Sequence, residues 1–157
     1  MGSGKSTVGR MVADALGCPF LDLDDIIVKK AGKTIPQIFE AEGECGFRRR
    51  EKQALEQTVE KYSESTAVLA LGGGTVTIPG SLGLLQEKTL CIYLQADVDT
   101  LRPRLEGTSG ERPLAGEGWE ERLADRLPLY EKAAHITLDA SALTPEQLAD
   151  EIIISCL

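Results

Sequence analysis

A chain of 157 residues, 42% apolar and 27% charged, has the size and the proportions of one globular domain with a core of its own. Its net charge of −8 argues against a general nucleic-acid binder, which would carry a basic face. No window approaches the ~20 apolar residues of a membrane span, and no basic-then-apolar leader opens the chain, so a cytoplasmic protein with no membrane partner is expected. The cysteines (Cys18, Cys45, Cys91 and Cys156) form no C-x-x-C pair, and a reduced state suits that compartment. His135, the only histidine, leaves no room for a histidine triad or cluster and reads as structural.

The first stretch, Met1-Gly2-Ser3-Gly4-Lys5-Ser6-Thr7, is the second half of the phosphate-loop pattern G-x-x-x-x-G-K-[ST]. The first glycine of that pattern would fall two residues before Met1. A glycine-serine tag remnant is the bland alternative, but it would not run straight into an amphipathic helix. From Lys5 to Leu16, Val8, Met11, Val12, Ala15 and Leu16 recur at helical spacing, and Gly17 stops the run. "CPFLDLD" reads as a strand, followed by a helix from Asp25 to about Ala31. Thr34 caps "IPQIFEAEG", with Pro36 in its first turn.

A long helix is predicted from about Cys45 to Tyr62, its buried side marked by Phe47, Leu55, Val59 and Tyr62. "TAVLAL" and "TLCIYL" are compact apolar runs of the kind found in strands buried on both faces. Then come a helix carrying Pro103, a glycine-rich polar stretch, a helix expected to break near Pro128, the short strand "HITLDA" and a last helix capped by Thr144. Strands alternating with helices predict an α/β three-layer sandwich, a parallel sheet flanked by helices.

Four stretches carry chemistry besides the loop. In "LDLDD", Asp22 and Asp24 would share one face if the strand stays extended, offering carboxylates to Mg²⁺ and to an acceptor hydroxyl; the plain reading is a strand end with Asp24 or Asp25 capping the next helix. Arg48 borders the buried stripe of the long helix, and Glu51, three residues on, is placed to hold it. An arginine fork suits a carboxylate because it donates two parallel hydrogen bonds. Arg49 and Arg50 read as a solvated face. Three glycines, Gly72 to Gly74, end a core strand where side chains would block a ligand approaching the backbone. Arg112 lies in the glycine-rich stretch, placed for a mobile lid over residues 107–118, and Arg126 lies just before the expected helix break.

In this order and spacing, G-x-G-K-S-T, D-x-D, G-E-x-x-F-R, G-G-G, R-P-L and R-x-P-L-Y resemble the shikimate kinase family over essentially the whole chain. The resemblance implies a P-loop kinase fold in a single domain, 1–157, and transfer of the γ-phosphoryl group of ATP to the 3-hydroxyl of shikimate with Mg²⁺. It places Gly2, Ser3, Gly4, Lys5, Ser6 and Thr7 at the nucleotide, with Lys5 on the phosphates and Ser6 on the metal. Asp22 supports Mg²⁺ through water, and Asp24 holds or deprotonates the acceptor hydroxyl. Arg48 and Arg126 clamp the substrate carboxylate beside the backbone of Gly73 and Gly74. Arg112 is the lid arginine, and Arg102 or Arg104 lies against adenine. A monomer is expected.

The family's sheet has a central strand leading into the phosphate loop, and this chain opens without it. The domain is therefore expected to be N-terminally incomplete, with "TAVLAL" and "TLCIYL" separated by a gap of roughly 10 Å. The rival readings are a related small-molecule kinase, such as one for gluconate, and a catalytically impaired nucleotide-binding domain.

Overall fold

The computed structural model describes residues 4–106 and 117–157. Helix α1 (Lys5–Leu16) buries Val8, Val12 and Ala13, and strand β1 (Phe20–Asp22) follows. Here the chain departs from the extended "LDLDD" expectation. It turns helical at Leu23, and α2 (Leu23–Ala31) is capped by Asp22, whose carboxylate accepts from the backbone N–H of Asp24 and Asp25. Asp22 therefore caps, where Asp24 or Asp25 was the expected cap. The reason is register: a carboxylate caps best when it precedes the first turn, and only Asp22 still has extended backbone.

Helix α3 (Ile35–Lys61) begins with the expected Thr34 cap, reciprocated by Gln37, and kinks at Gly43, whose φ of 71° an L side chain rarely adopts. The two predicted helices thus run on across one kink. Strand β2 (Val68–Ala70) leads into the glycines, a 3₁₀ turn (Thr75–Thr77) and helix α4 (Ser81–Lys88), which sequence periodicity did not reveal. Strand β3 (Ile92–Gln95), helix α5 (Val98–Glu106), helix α6 (Trp119–Ala133), strand β4 (Ile136–Asp139) and helix α7 (Pro145–Cys156) complete the chain. The break expected at Pro128 is absent, and α6 runs through it. Pro128 and Ala124, whose carbonyl loses its helical partner, are both exposed, so water can replace the missing bond.

Pairing is parallel, as the alternation requires, but in two halves. β1 pairs with β2 in the register Phe20↔Val68 to Asp22↔Ala70, and β3 with β4 from Ile92↔Ile136 to Gln95↔Asp139. The main core gathers Leu23, Ile27, Ile38, Phe47 and Leu55 beside the first pair, and Val8, Val12, Leu94, Leu148 and Ile152 form a second cluster joining α1, β3 and α7. Among the described residues no helix is long and apolar enough to cross a membrane.

Candidate active site

Candidate side chains gather near the carboxyl ends of β1 and β2, where open α/β folds bind ligands. On one side lies the start of α1. Its N-cap, Gly4, offers no side chain to the first-turn N–H groups, and none of the residues of that turn is acidic, so the positive end of the helix suits an anion. Ser6 is in this turn, and its hydroxyl donates to Asp22 Oδ2 at 3.2 Å. Asp22 thus does two jobs, one oxygen capping α2 and the other meeting Ser6. Gly4, Lys5 and Ser6 are half-buried and Thr7 is exposed. Gly2, Ser3 and Arg112 lie outside the described residues, as do residues 107–116 of the lid expected over 107–118.

On the other side, α3, α6 and the glycine turn build a buried charged wall. Arg48 Nη1 donates to Glu51 Oε1 at 2.7 Å, with Glu44 3.5 Å away on the outer side. The Glu51 side chain is only 1% exposed, and burial pushes its carboxyl above the usual range against the pull of Arg48. Nearby Asp24 pushes the same way. Thr75 Oγ1 is buried and makes no hydrogen bond of ordinary geometry, although it lies beside Glu51 and favours its charged form.

The glycines make room for this cluster. A Cβ on Gly72 would lie 3.2 Å from Glu51 Oε2, 3.4 Å from Asp24 Oδ1 and 3.6 Å from Thr75 Oγ1, so three polar groups from three elements meet at one point. A Cβ on Gly74 would sit 2.2 Å from Arg48 Nη2, inside the guanidinium. The Gly73 carbonyl accepts the hydroxyl of Tyr130. Burial raises the Tyr130 phenol, and Arg126 opposes that shift through its charge and a hydrogen bond, with Arg48 adding a weaker pull. Tyr130 therefore stands between the two arginines that were proposed as a clamp, one helical turn beyond the buried Arg126.

Most of the wall was foreseen, including the pairing of Arg48 with Glu51. Arg49 is exposed and Arg50 is held by Glu42 at 2.8 Å, as a solvated face requires. Asp24 reaches the cluster from the first turn of a helix and not from a strand face. Arg102 is paired with Glu120 at 2.9 Å. Tyr130 was missed, although its place four residues after Arg126 was a usable signal. Thr75 gave no sequence signal. His135 is structural as read: Nδ1 accepts from the Cys91 N–H at 2.9 Å, and Nε2 lies 2.9 Å from the Gln86 carbonyl.

The family model described as shikimate kinase matches residues 1–157. The chain belongs to the shikimate kinase family. A shikimate kinase of Enterococcus faecalis is 39% identical over 158 residues, covering 98% of this chain and 92% of that protein. One from Acinetobacter baylyi is 40% identical over 157 residues, covering 98% and 86%. Among solved structures, the shikimate kinase of Acinetobacter baumannii in complex with shikimate matches with a TM-score of 0.89 at 38% identity, covering 99% of this chain and 88% of that one. That of Aquifex aeolicus matches with a TM-score of 0.85 at 32% identity, covering 99% and 91%. As a shikimate kinase, the chain is an ATP-dependent small-molecule kinase with the α/β fold of that family.

Proposed function

We propose that the chain transfers the γ-phosphoryl group of ATP to the 3-hydroxyl of shikimate, with Asp24 at the acceptor hydroxyl and Arg48 and Arg126 on the substrate carboxylate. The observation that carries this assignment is the convergence of Asp24, Glu51 and Arg48 around Gly72 and Gly74, with Arg126 joined to them through Tyr130. Arg48, held by Glu51, and Arg126, held by Tyr130, are two cations whose orientation is set before substrate arrives. Shikimate is a ring with one carboxylate and several hydroxyls, and this wall offers it a cationic clamp and an acceptor for a hydroxyl proton.

On the nucleotide side, Gly4, Lys5, Ser6 and Thr7, with Gly2 and Ser3 before them, hold the phosphates through backbone N–H groups, the Lys5 charge and the end of α1. The pairing of the Ser6 hydroxyl with a carboxylate oxygen of Asp22 is a hard oxygen set that fits Mg²⁺. When bound, Mg²⁺ neutralises phosphate charge. Arg112 is assigned to the same phosphates as the lid arginine over 107–118. The working unit is a single domain acting as a monomer, with no nucleic-acid or membrane partner, in the cytoplasm.

Phosphoryl transfer asks mainly for position and charge stabilisation, and little covalent chemistry from the protein. Asp24 receives the hydroxyl proton as the oxygen attacks, and the arginines keep the ring from rotating away. A coupled assay of ADP release tests the assignment, run with ATP and Mg²⁺ and with shikimate, gluconate or no acceptor. Release that depends on shikimate alone is expected. Release with gluconate, or release independent of any acceptor, would overturn it.

A further inference from the structure

Tyr130 meets the acceptor wall with its hydroxyl and the core with its ring. The ring is half-buried and packs against both the main core and the cluster of Leu101, Trp119 and Leu123. Tyr93 of β3 lies against it, with ring centroids 5.2 Å apart and the planes tilted. A tyrosine has only two side-chain torsions ahead of its hydroxyl, so contacts on three sides of the ring fix where the oxygen stands.

That oxygen has one hydrogen to give and lone pairs with which to receive. The hydrogen goes to the carbonyl of Gly73, in the turn that follows β2. Arginine can only donate, so the hydrogen bond between Arg126 and Tyr130 ends on the phenol oxygen. The two bonds are complementary: donation to Gly73 leaves the lone pairs for the guanidinium. A phenol is also a neutral acceptor. It orients the cation and leaves its full charge for an anion, unlike the Glu51 carboxylate on Arg48.

The same hydroxyl acts on the turn. A peptide unit is planar and trans, so a carbonyl held on one side sends the N–H of the next residue to the other. Fixing the Gly73 carbonyl therefore fixes the direction of the Gly74 N–H. Gly74 is also the residue whose missing side chain makes room for Arg48, since a Cβ there would lie 2.2 Å from Arg48 Nη2. A tyrosine that only fastened α6 to the turn would need the Gly73 bond alone. Its second bond is to a buried cation of the pocket.

We propose that Tyr130 is a positioning residue for the acceptor: its hydroxyl, anchored on Gly73, orients Arg126 for the substrate carboxylate and ties α6 to the glycine turn. This rests on the place proposed above for Arg126 at that carboxylate. Shikimate affinity then depends on the hydroxyl, while ATP binding and the chemical step, served by other groups, do not.

The test removes one oxygen. Tyr130→Phe keeps the ring and its packing, and Tyr93→Phe, which deletes the neighbouring phenol, is the control. Tyr130→Phe should raise KM for shikimate roughly tenfold, the order expected when a charged group loses a hydrogen bond. Both kcat and KM for ATP should stay within about twofold, because the lost interaction serves ground and transition state alike. Calorimetric titration should show the same loss for shikimate and about threefold or less for a shikimate ester, which lacks the charge that Arg126 answers. In an Arg126→Ala background, adding Tyr130→Phe should cost about threefold or less, since the group it orients is gone. Tyr93→Phe should leave all these values unmoved. The proposal is overturned by a Tyr130→Phe chain that binds shikimate normally, by equal losses for acid and ester, by an equal cost with and without Arg126, or by KM rising alike for shikimate and ATP. If the unsubstituted chain fails to bind shikimate, the assignment of the pocket falls and takes this inference with it. Normal binding in both chains discards the inference alone.

Discussion

The two sides of the pocket are built by different physics. The acceptor wall is side-chain chemistry under burial: Glu51 is 1% exposed, Arg126 is buried, and each holds or is held by a neighbour on its own helix. The phosphate side is backbone chemistry near the surface, an uncapped helix start with one side-chain link, Ser6 to Asp22. Removing a group from the wall leaves a buried partner uncompensated, so fold and function suffer together. Removing one from the helix start leaves the N–H groups where they were, so the loss is confined to the ligand.

The largest effect expected separates chemistry from both kinds of binding. Asp24→Asn should lower turnover by about 10²–10⁴-fold while the dissociation constant for ATP stays nearly unchanged, because the proposed role of the carboxylate is at the acceptor. Single-turnover kinetics beside nucleotide titration checks this, and near-normal turnover would remove Asp24 from the mechanism.

Next come the clamp cations. Arg48→Ala and Arg126→Ala should each weaken shikimate binding by about 2 kcal/mol, roughly 30-fold. A shikimate ester should lose far less in either variant. Arg48→Ala should also lower the melting temperature, since Glu51 keeps its burial and loses its cation. Equal losses for acid and ester would discard the clamp.

A subtler change tests how closely the wall is fitted. The backbone at Gly74 has an ordinary φ of −98°, so Gly74→Ala introduces no strain of its own, yet its methyl would occupy the place of the Arg48 guanidinium. Displacing that group should cost roughly 1–3 kcal/mol of overpacking and repositioning. The cost should appear as a higher Michaelis constant for shikimate with little change in that for ATP. The counterpart on the phosphate side is Ser6→Ala, which removes a partly exposed hydrogen bond worth about 1 kcal/mol. Its loss should fall on ATP and on the Mg²⁺ dependence, with shikimate affinity unmoved. If Ser6→Ala weakens shikimate as much as ATP, the two sides are not independent.

The smallest effect is a slope. Burial raises the Glu51 carboxyl above its ordinary value of 4.5, so the folded chain keeps that proton to higher pH than the unfolded chain does. The contribution to stability is complete below 4.5 and is lost as pH rises through the folded value. Glu51→Gln should therefore flatten the fall in melting temperature above 4.5, relative to the unsubstituted chain. A steeper fall would reverse the sign of the argument.

Much of this was legible in the residues. Apolar spacing placed α1, α3 and α7, compact runs placed the strands, and Thr34 and Thr144 announced their helices, because caps and periodicity are local properties. The separation of Arg48 from Glu51 by three positions on a helix predicted their pairing for the same reason. Local rules misjudged the end of β1 and the path of α6. A helix turn at Leu23 moved Asp24 off the strand, and water could serve the exposed carbonyl that Pro128 orphaned. Only tertiary structure decided that Gly72 would be where Asp24, Glu51 and Thr75 meet, and that Tyr130 would reach Gly73 from 57 residues away. Those contacts join elements distant in sequence, and no local pattern encodes which helix face a sheet edge will meet. The division of the strands into two pairs is different, because the resemblance had already placed a gap between "TAVLAL" and "TLCIYL", the strands β2 and β3.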